Sequence, residues 1–333
     1  MDRMSAVPQY SILEAISGLY RYFARKKPGK KNCQKIASEV KKNSNKDSYR
    51  LGDTWSRIKV TKKLTSTSPL IRQASLSIVK TIATTFQNTA SAIYLGKING
   101  QHIVATNSHV CNHASGCREM MFVMKAPNGR NILGRRKKLL GIWKKFDFAL
   151  VAIELFDKKE EKLLPKGLKI DASSSIYPGQ KLITMGFGNR RNPKQHLTVN
   201  MDRDCKVLSQ RDHFPLTTDP DNLNSPSAYK VHSFAHGCDI SGGDSGSPVI
   251  DRVTGRVVGI NWSAKLPRSS RLQRSSYLQC ITGTNHKDIW QQLSYAVPFI
   301  AVKKHLFSRH AMSRMDAETR AIVKKLFNYI GTF

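Results

Sequence analysis

Apolar residues in this chain gather in short runs, most of them separated by polar turns, and long helical stripes are confined to the two ends. Residues 91–95, 102–105, 120–124 and 148–153 each read as a short strand bounded by Gly-, Asn- and Lys-rich turns. A second group follows at 181–185, 204–208, 248–250 and 257–261. Many short apolar runs with few helical periods between them predict an all-β core. Near the start, Ile12, Ile16, Leu19, Tyr20 and Phe23 fall at helical spacing and predict a short amphipathic helix. Helical spacing returns after Ile300 through Val302, Leu306, Ile322, Val323, Leu326 and Ile330.

The two groups of strands divide the chain into a unit over about 85–155, a second over about 168–300, and a helical tail over 301–333. Residues 1–68 stand apart from this 69–333 body. From Arg25 to Lys63 they are basic and polar, broken at Pro28-Gly29, and read as an N-terminal extension: a tail, linker or removable pro-segment. Over all 333 residues, 55 Lys+Arg face 23 Asp+Glu, a net charge of +32. Such an excess favours non-specific contact with polyanions, the alternative being a merely solvated basic surface. No apolar run is long enough to span a membrane, which excludes a helical transmembrane protein as an expectation. The N-terminus lacks the pattern of a signal peptide, because its best apolar stretch, 12–24, is interrupted by Glu14 and Arg21. Six cysteines, at 33, 111, 117, 205, 238 and 280, permit many pairings among which sequence does not choose.

The candidate chemistry centres on Gly242-Gly243-Asp244-Ser245-Gly246-Ser247-Pro248. A serine flanked by glycines on a tight turn presents its hydroxyl outward, and small neighbours let two main-chain N–H groups converge in front of it. Upstream lie Thr106-Asn107-Ser108-His109-Val110, ending an apolar run, and Phe146-Asp147-Phe148-Ala149-Leu150, opening another. The three motifs together resemble those of the trypsin-like, chymotrypsin-fold serine proteases, in the His…Asp…Ser order of that family. The histidine motif and the closing Tyr295-Ala296-Val297-Pro298 are similar to those of its bacterial branch, which includes glutamyl endopeptidases and envelope-type proteases.

The resemblance implies two six-stranded antiparallel β-barrels with a C-terminal helix packed on the second. It implies a serine endopeptidase acting on protein or peptide substrates without metal or organic cofactor. His109 is then the general base, Asp147 its orienting partner and Ser245 the nucleophile, with the N–H groups of Gly243 and Ser245 as oxyanion hole. Asp239, six residues before Ser245, stands where trypsin-like enzymes carry the carboxylate that selects Arg or Lys. Asn261, in Gly259-Ile260-Asn261-Trp262, replaces the glutamate-recognising histidine of glutamyl endopeptidases. The resemblance also suggests a Cys205–Cys238 disulfide and an extracytoplasmic location, while the spacing of Cys111 and Cys117 would let them close a short loop beside His109. In the animal branch a newly cut N-terminus, usually Ile-Val-Gly-Gly, pairs with the acid before the serine, here Asp244; no such tetrapeptide occurs near 65–85. Two rival readings are a catalytically silent binding module of the same fold on anionic surfaces, and a zinc-dependent nucleic-acid-binding protein. The second would use His109, Cys111, His113 and Cys117, whose spacing departs from the usual finger.

Overall fold

The computed structural model describes residues 57–83, 89–111, 118–188, 194–203, 205–218, 230–264 and 294–327. The predicted helix over 12–23, and Cys33, His113, Cys117, Cys280 and Ile330, lie outside them. The first described strand, β1 (Ile58–Lys59), is followed by helices α1 (Lys62–Thr67) and α2 (Pro69–Ser77). Thr61 and Ser68 cap these helices through their side-chain oxygens, and Pro69 occupies the first turn of α2, where its missing N–H costs nothing.

The first barrel is a closed antiparallel ring. Its strands are β2 (Ile78–Ala83), β3 (Thr89–Ile98), β4 (Gln101–Thr106), β5 (Met120–Lys125), β6 (Asn131–Trp143) and β7 (Phe148–Leu155), in the order β2-β3-β4-β7-β6-β5. Alternate residues point inward: in β5, Met120, Phe122 and Met124 are buried while Met121 and Val123 are half-buried. They meet Val79, Tyr94, Val104, Ile132 and Val151 from the other strands. Strand β6 was not foreseen, because Arg135, Arg136, Lys137 and Lys138 make it look like a solvated turn. Its core contacts come from Ile132 and Leu140 on either side of that basic run, and two bulges let it twist around the barrel.

The second half is a seven-stranded sheet in the order β1-β9-β8-β13-β14-β15-β12. It comprises β1 with β8 (Leu182–Gly186), β9 (Thr198–Asn200), β12 (Phe234–His236), β13 (Pro248–Asp251), β14 (Val257–Ala264) and β15 (Ser294–Pro298). A small ribbon, β10 (Leu216–Thr218) with β11 (Lys230–His232), stands beside it. Residues 205–208 bridge its two flanks. Leu182 N–H donates to the Cys205 carbonyl at 2.9 Å, and Gly237 N–H to the Lys206 carbonyl at 2.9 Å. The fold is chymotrypsin-like, a closed six-stranded barrel followed by a half-barrel sheet where a second closed barrel was expected, with Val207, Phe234, Val249, Val258 and Ala296 forming one core of this second barrel unit.

Both ends of the chain depart from expectation. Residues 57–68, grouped by composition with the N-terminal extension, are part of the folded body: Ile58 pairs with Val199 and Lys59 with Thr198. Among the described residues after β15 there are three helices, α3 (Phe299–Leu306), α4 (Arg309–Ser313) and α5 (Ala317–Phe327). Helix α3 packs on β14 and β15 of the second barrel. Helix α5 crosses to the first barrel, where Phe327 meets the rings of Phe148 and Phe299 edge-on, at 6.4 and 6.1 Å between centroids. Glu318 accepts there from Gln101 and Lys138.

Candidate active site

The end of β4 and the start of β7 are neighbours, since Thr106 pairs with Ala149. That pairing brings the histidine and aspartate motifs together. Asp147 follows a single 3₁₀ turn, Lys144–Phe146, and adopts a left-handed conformation with φ 40° and ψ 45°, which Asp and Asn tolerate better than other side-chain-bearing residues. Its carboxylate is fully buried. Oδ1 accepts from His109 N–H and from the Ser108 hydroxyl, each at 2.8 Å, and Oδ2 lies 2.6 Å from His109 Nδ1. The Asn107 side-chain amide donates to the Asp147 carbonyl at 2.9 Å. A carboxylate only accepts, so Nδ1 is the donor and Nε2 is left to take a proton. Thus Asn107 and Ser108, beside His109, hold the aspartate in place.

The serine motif lies in the turn entering β13 and rests against the first barrel. Ser91 N–H donates to the Ser245 carbonyl at 2.9 Å, and the Ser91 hydroxyl to the Gly243 carbonyl at 2.8 Å. Gly243 (φ +94°) and Gly246 (φ +85°) both require the left-handed region. A Cβ on Gly246 would overlap the Ser91 carbonyl and the Thr106 hydroxyl, so only glycine lets Ser245 sit this close to the turn that carries His109. The loop amides divide into two sets. Those of Asp244, Gly246 and Ser247 donate to the carbonyls of Ser241, Asn261 and Asp244. Those of Gly242, Gly243 and Ser245 donate to none among the described residues.

Asn261, expected in a specificity pocket, is fully buried. Its amide nitrogen donates to the Thr184 hydroxyl at 2.6 Å and the Ser247 hydroxyl at 2.9 Å, bracing the loop from beneath. Asp239 is buried; its N–H donates to Asn200 Oδ1 at 3.0 Å, and Asn200 Nδ2 approaches its carboxylate at 3.5 Å. Cys205 and Cys238 are disulfide-bonded, tying the bridging segment 205–208 to the residue before Asp239. Cys111 is also disulfide-bonded and so offers no thiolate to a metal. The imidazole of His236, wholly enclosed, is held down to about 3 by burial, with the Asn261 side chain opposing the shift.

One group at this site went unseen in the sequence. Arg57, lost among the basic residues of the N-terminal stretch, reaches Asp244 with a forked guanidinium. Nothing local marks it, because its partner lies 187 positions along the chain.

The model of the trypsin-like peptidase domain matches residues 90–260, a span that holds His109, Asp147 and Ser245. The chain belongs to the trypsin-like peptidase family. This trypsin-like peptidase is a serine-type endopeptidase by class, and its fold is chymotrypsin-like. No curated protein matches it. Among solved structures it is similar to Deg5, at 17% identity and a TM-score of 0.45, over 75% of this chain and 98% of that one. It is also similar to the active form of the Rv3671c protease from M. tuberculosis, at 15% identity and a TM-score of 0.46, over 75% of this chain and 87% of that one. A serine endoprotease from Yersinia pestis aligns at 15% identity and a TM-score of 0.40, over 71% and 63% of the respective chains.

Proposed function

We propose that this trypsin-like peptidase hydrolyses peptide bonds through a His109–Asp147–Ser245 triad and an acyl-enzyme. The reading is carried by the 2.6 Å pairing of His109 with buried Asp147, beside a serine loop whose Gly243 and Ser245 amides have no acceptor among the described residues. Ser245 Oγ attacks the scissile carbonyl carbon as His109 Nε2 takes its proton. The carbonyl oxygen, now anionic, accepts from the Gly243 and Ser245 amides. His109 then returns the proton to the leaving amine, and water, activated by the same base, releases the acid. Asp147 keeps the imidazole in the productive tautomer and stabilises its charged form.

Asp239 is proposed to select Arg or Lys at the residue before the cleaved bond, through a charge-assisted contact in a desolvated wall. The Cys205–Cys238 bond supports an oxidising, extracytoplasmic setting, and among the described residues no helix is long and apolar enough to cross a membrane. The basic surface is proposed to give salt-sensitive contact with polyanions, read as heparin-column retention that disappears near physiological ionic strength if no dedicated site exists. A fluorophosphonate probe tests the chemistry. Labelling that disappears in Ser245→Ala supports the triad, and a mixed peptide library then reads the preference. A folded protein that neither labels nor cleaves would favour the silent binding module.

A further inference from the structure

The unforeseen Arg57 has its side chain only 2% exposed, and each of its five N–H bonds has an acceptor. Nε donates to the Thr198 hydroxyl at 2.9 Å. One terminal nitrogen donates to the Asp244 carboxylate and to the Asp239 carbonyl, the latter at 3.3 Å. The other donates to Asp244 Oδ1 at 2.9 Å and to the Gly186 carbonyl at 3.3 Å. Asp244 is equally occupied, since Oδ1 also accepts from Gly188 N–H at 3.0 Å and Oδ2 from Ser241 N–H at 2.8 Å. Gly186 and Gly188 make this possible: a Cβ at either would collide with the Asp244 carboxylate. The guanidinium therefore binds both ends of the 239–244 segment that leads into Ser245, one through a carbonyl and the other through a carboxylate.

Arg57 belongs to neither barrel. It precedes β1, a strand of only two residues, and it arrives from the N-terminal side of the first barrel. Two paired residues hold a strand weakly, so the buried ion pair is the principal tie between this segment and the serine loop. Without the guanidinium, Asp244 would be a buried, uncompensated anion, and the loop would have to open to hydrate it. Gly243 and Ser245, whose amides have no acceptor among the described residues, flank Asp244 directly.

We propose that Arg57 is a positioning residue: the N-terminal segment acts as a built-in activator whose guanidinium locks the serine loop in its oxyanion-binding form. The proposal rests on the peptidase reading for its catalytic consequence, whereas the locking itself does not. It also implies that cleavage on the C-terminal side of Arg57 would inactivate the enzyme, the reverse of a removable pro-segment.

The test compares full-length wild type with Arg57→Ala by amide hydrogen exchange and by steady-state kinetics on a peptide the wild type cleaves. Exchange in 239–247 is expected to accelerate at least about tenfold, while β3, β4 and β7 keep their wild-type rates. Turnover per folded molecule is expected to fall about 10²–10³-fold, the loss seen when an oxyanion donor is removed, with KM changed far less. Unchanged exchange in the loop, or full turnover per folded molecule, overturns the proposal. Faster loop exchange in a protein whose wild type is also inert supports the lock and counts against the peptidase reading alone. Should Arg57→Ala fail to fold, Arg57→Lys carries the test, keeping the charge but losing the fork. Loop-confined acceleration in Arg57→Lys supports the lock, and wild-type exchange overturns it.

Discussion

Replacing Asp147 by Asn is the sharpest perturbation of the proposed chemistry, because the backbone accepts it and the hydrogen bonds do not. Asn is at ease at φ 40° and ψ 45°, so the turn before β7 is expected to survive. Oδ1 is pinned by two donors, His109 N–H and the Ser108 hydroxyl, both at 2.8 Å. The amide oxygen of the substituted side chain must take that place, which aims its NH₂ group at His109 Nδ1. Two donors cannot share a 2.6 Å contact. The imidazole therefore shifts its proton to Nε2, and Nε2 then has no lone pair with which to take the Ser245 proton. In the family template this tautomer error lowers kcat about 10⁴-fold, equivalent to roughly 5 kcal/mol of barrier. The assay is kcat on a peptide cleaved by wild type, with fluorophosphonate labelling rate and thermal unfolding measured on the same preparation. A folded Asp147→Asn enzyme retaining more than about a tenth of wild-type kcat would refute the reasoning, since a correct tautomer would then not depend on the carboxylate.

Three further outcomes are expected. Gly246→Ala forces a Cβ onto the Ser91 carbonyl at φ +85°; labelling of Ser245 should fall at least about 100-fold or the melting temperature should drop by several degrees, strain of this kind costing about 1–3 kcal/mol, and wild-type behaviour in both would show that the two barrels are not held this closely. Replacing Cys205 and Cys238 together by Ala frees a link with a sequence separation of 33; urea unfolding should report a loss of about 2–4 kcal/mol, and a loss below about 1 kcal/mol would deny the bond a structural role. His236 stays neutral in the folded protein down to about 3, whereas the unfolded chain takes up its proton near the ordinary value of about 6.5. Between those values the unfolded state binds the extra proton, so the stability associated with neutral His236 is present above about pH 6.5 and declines as pH falls, by about 1 kcal/mol per unit. Comparing urea midpoints of wild type and His236→Gln from pH 7 to pH 4 checks this, and parallel pH curves would contradict it.

Strands and motifs were legible from the chain alone because their determinants are local. Short apolar runs mark β3, β4, β5, β7 and β14 within a few residues of their bounds. The glycines around Ser245 announce a turn that only they can make, and the order of the three motifs points to the family. Where polar residues obscured the pattern, sequence reasoning missed an element, as with the basic face of β6. Helix α5 showed its periodicity but not its destination, since a helical stripe says that one face will be buried and not against which barrel. The orientation of Asn261 required Thr184 and Ser247 to be in place. The pairing of Arg57 with Asp244 was decided wholly by tertiary structure. In sequence Arg57 is one cation in a basic stretch, and only the register of β1 on β9 carries it to a carboxylate 187 residues away. Local chemistry determines what a segment can become, while a buried charge acquires its meaning from whichever distant group the fold sets against it.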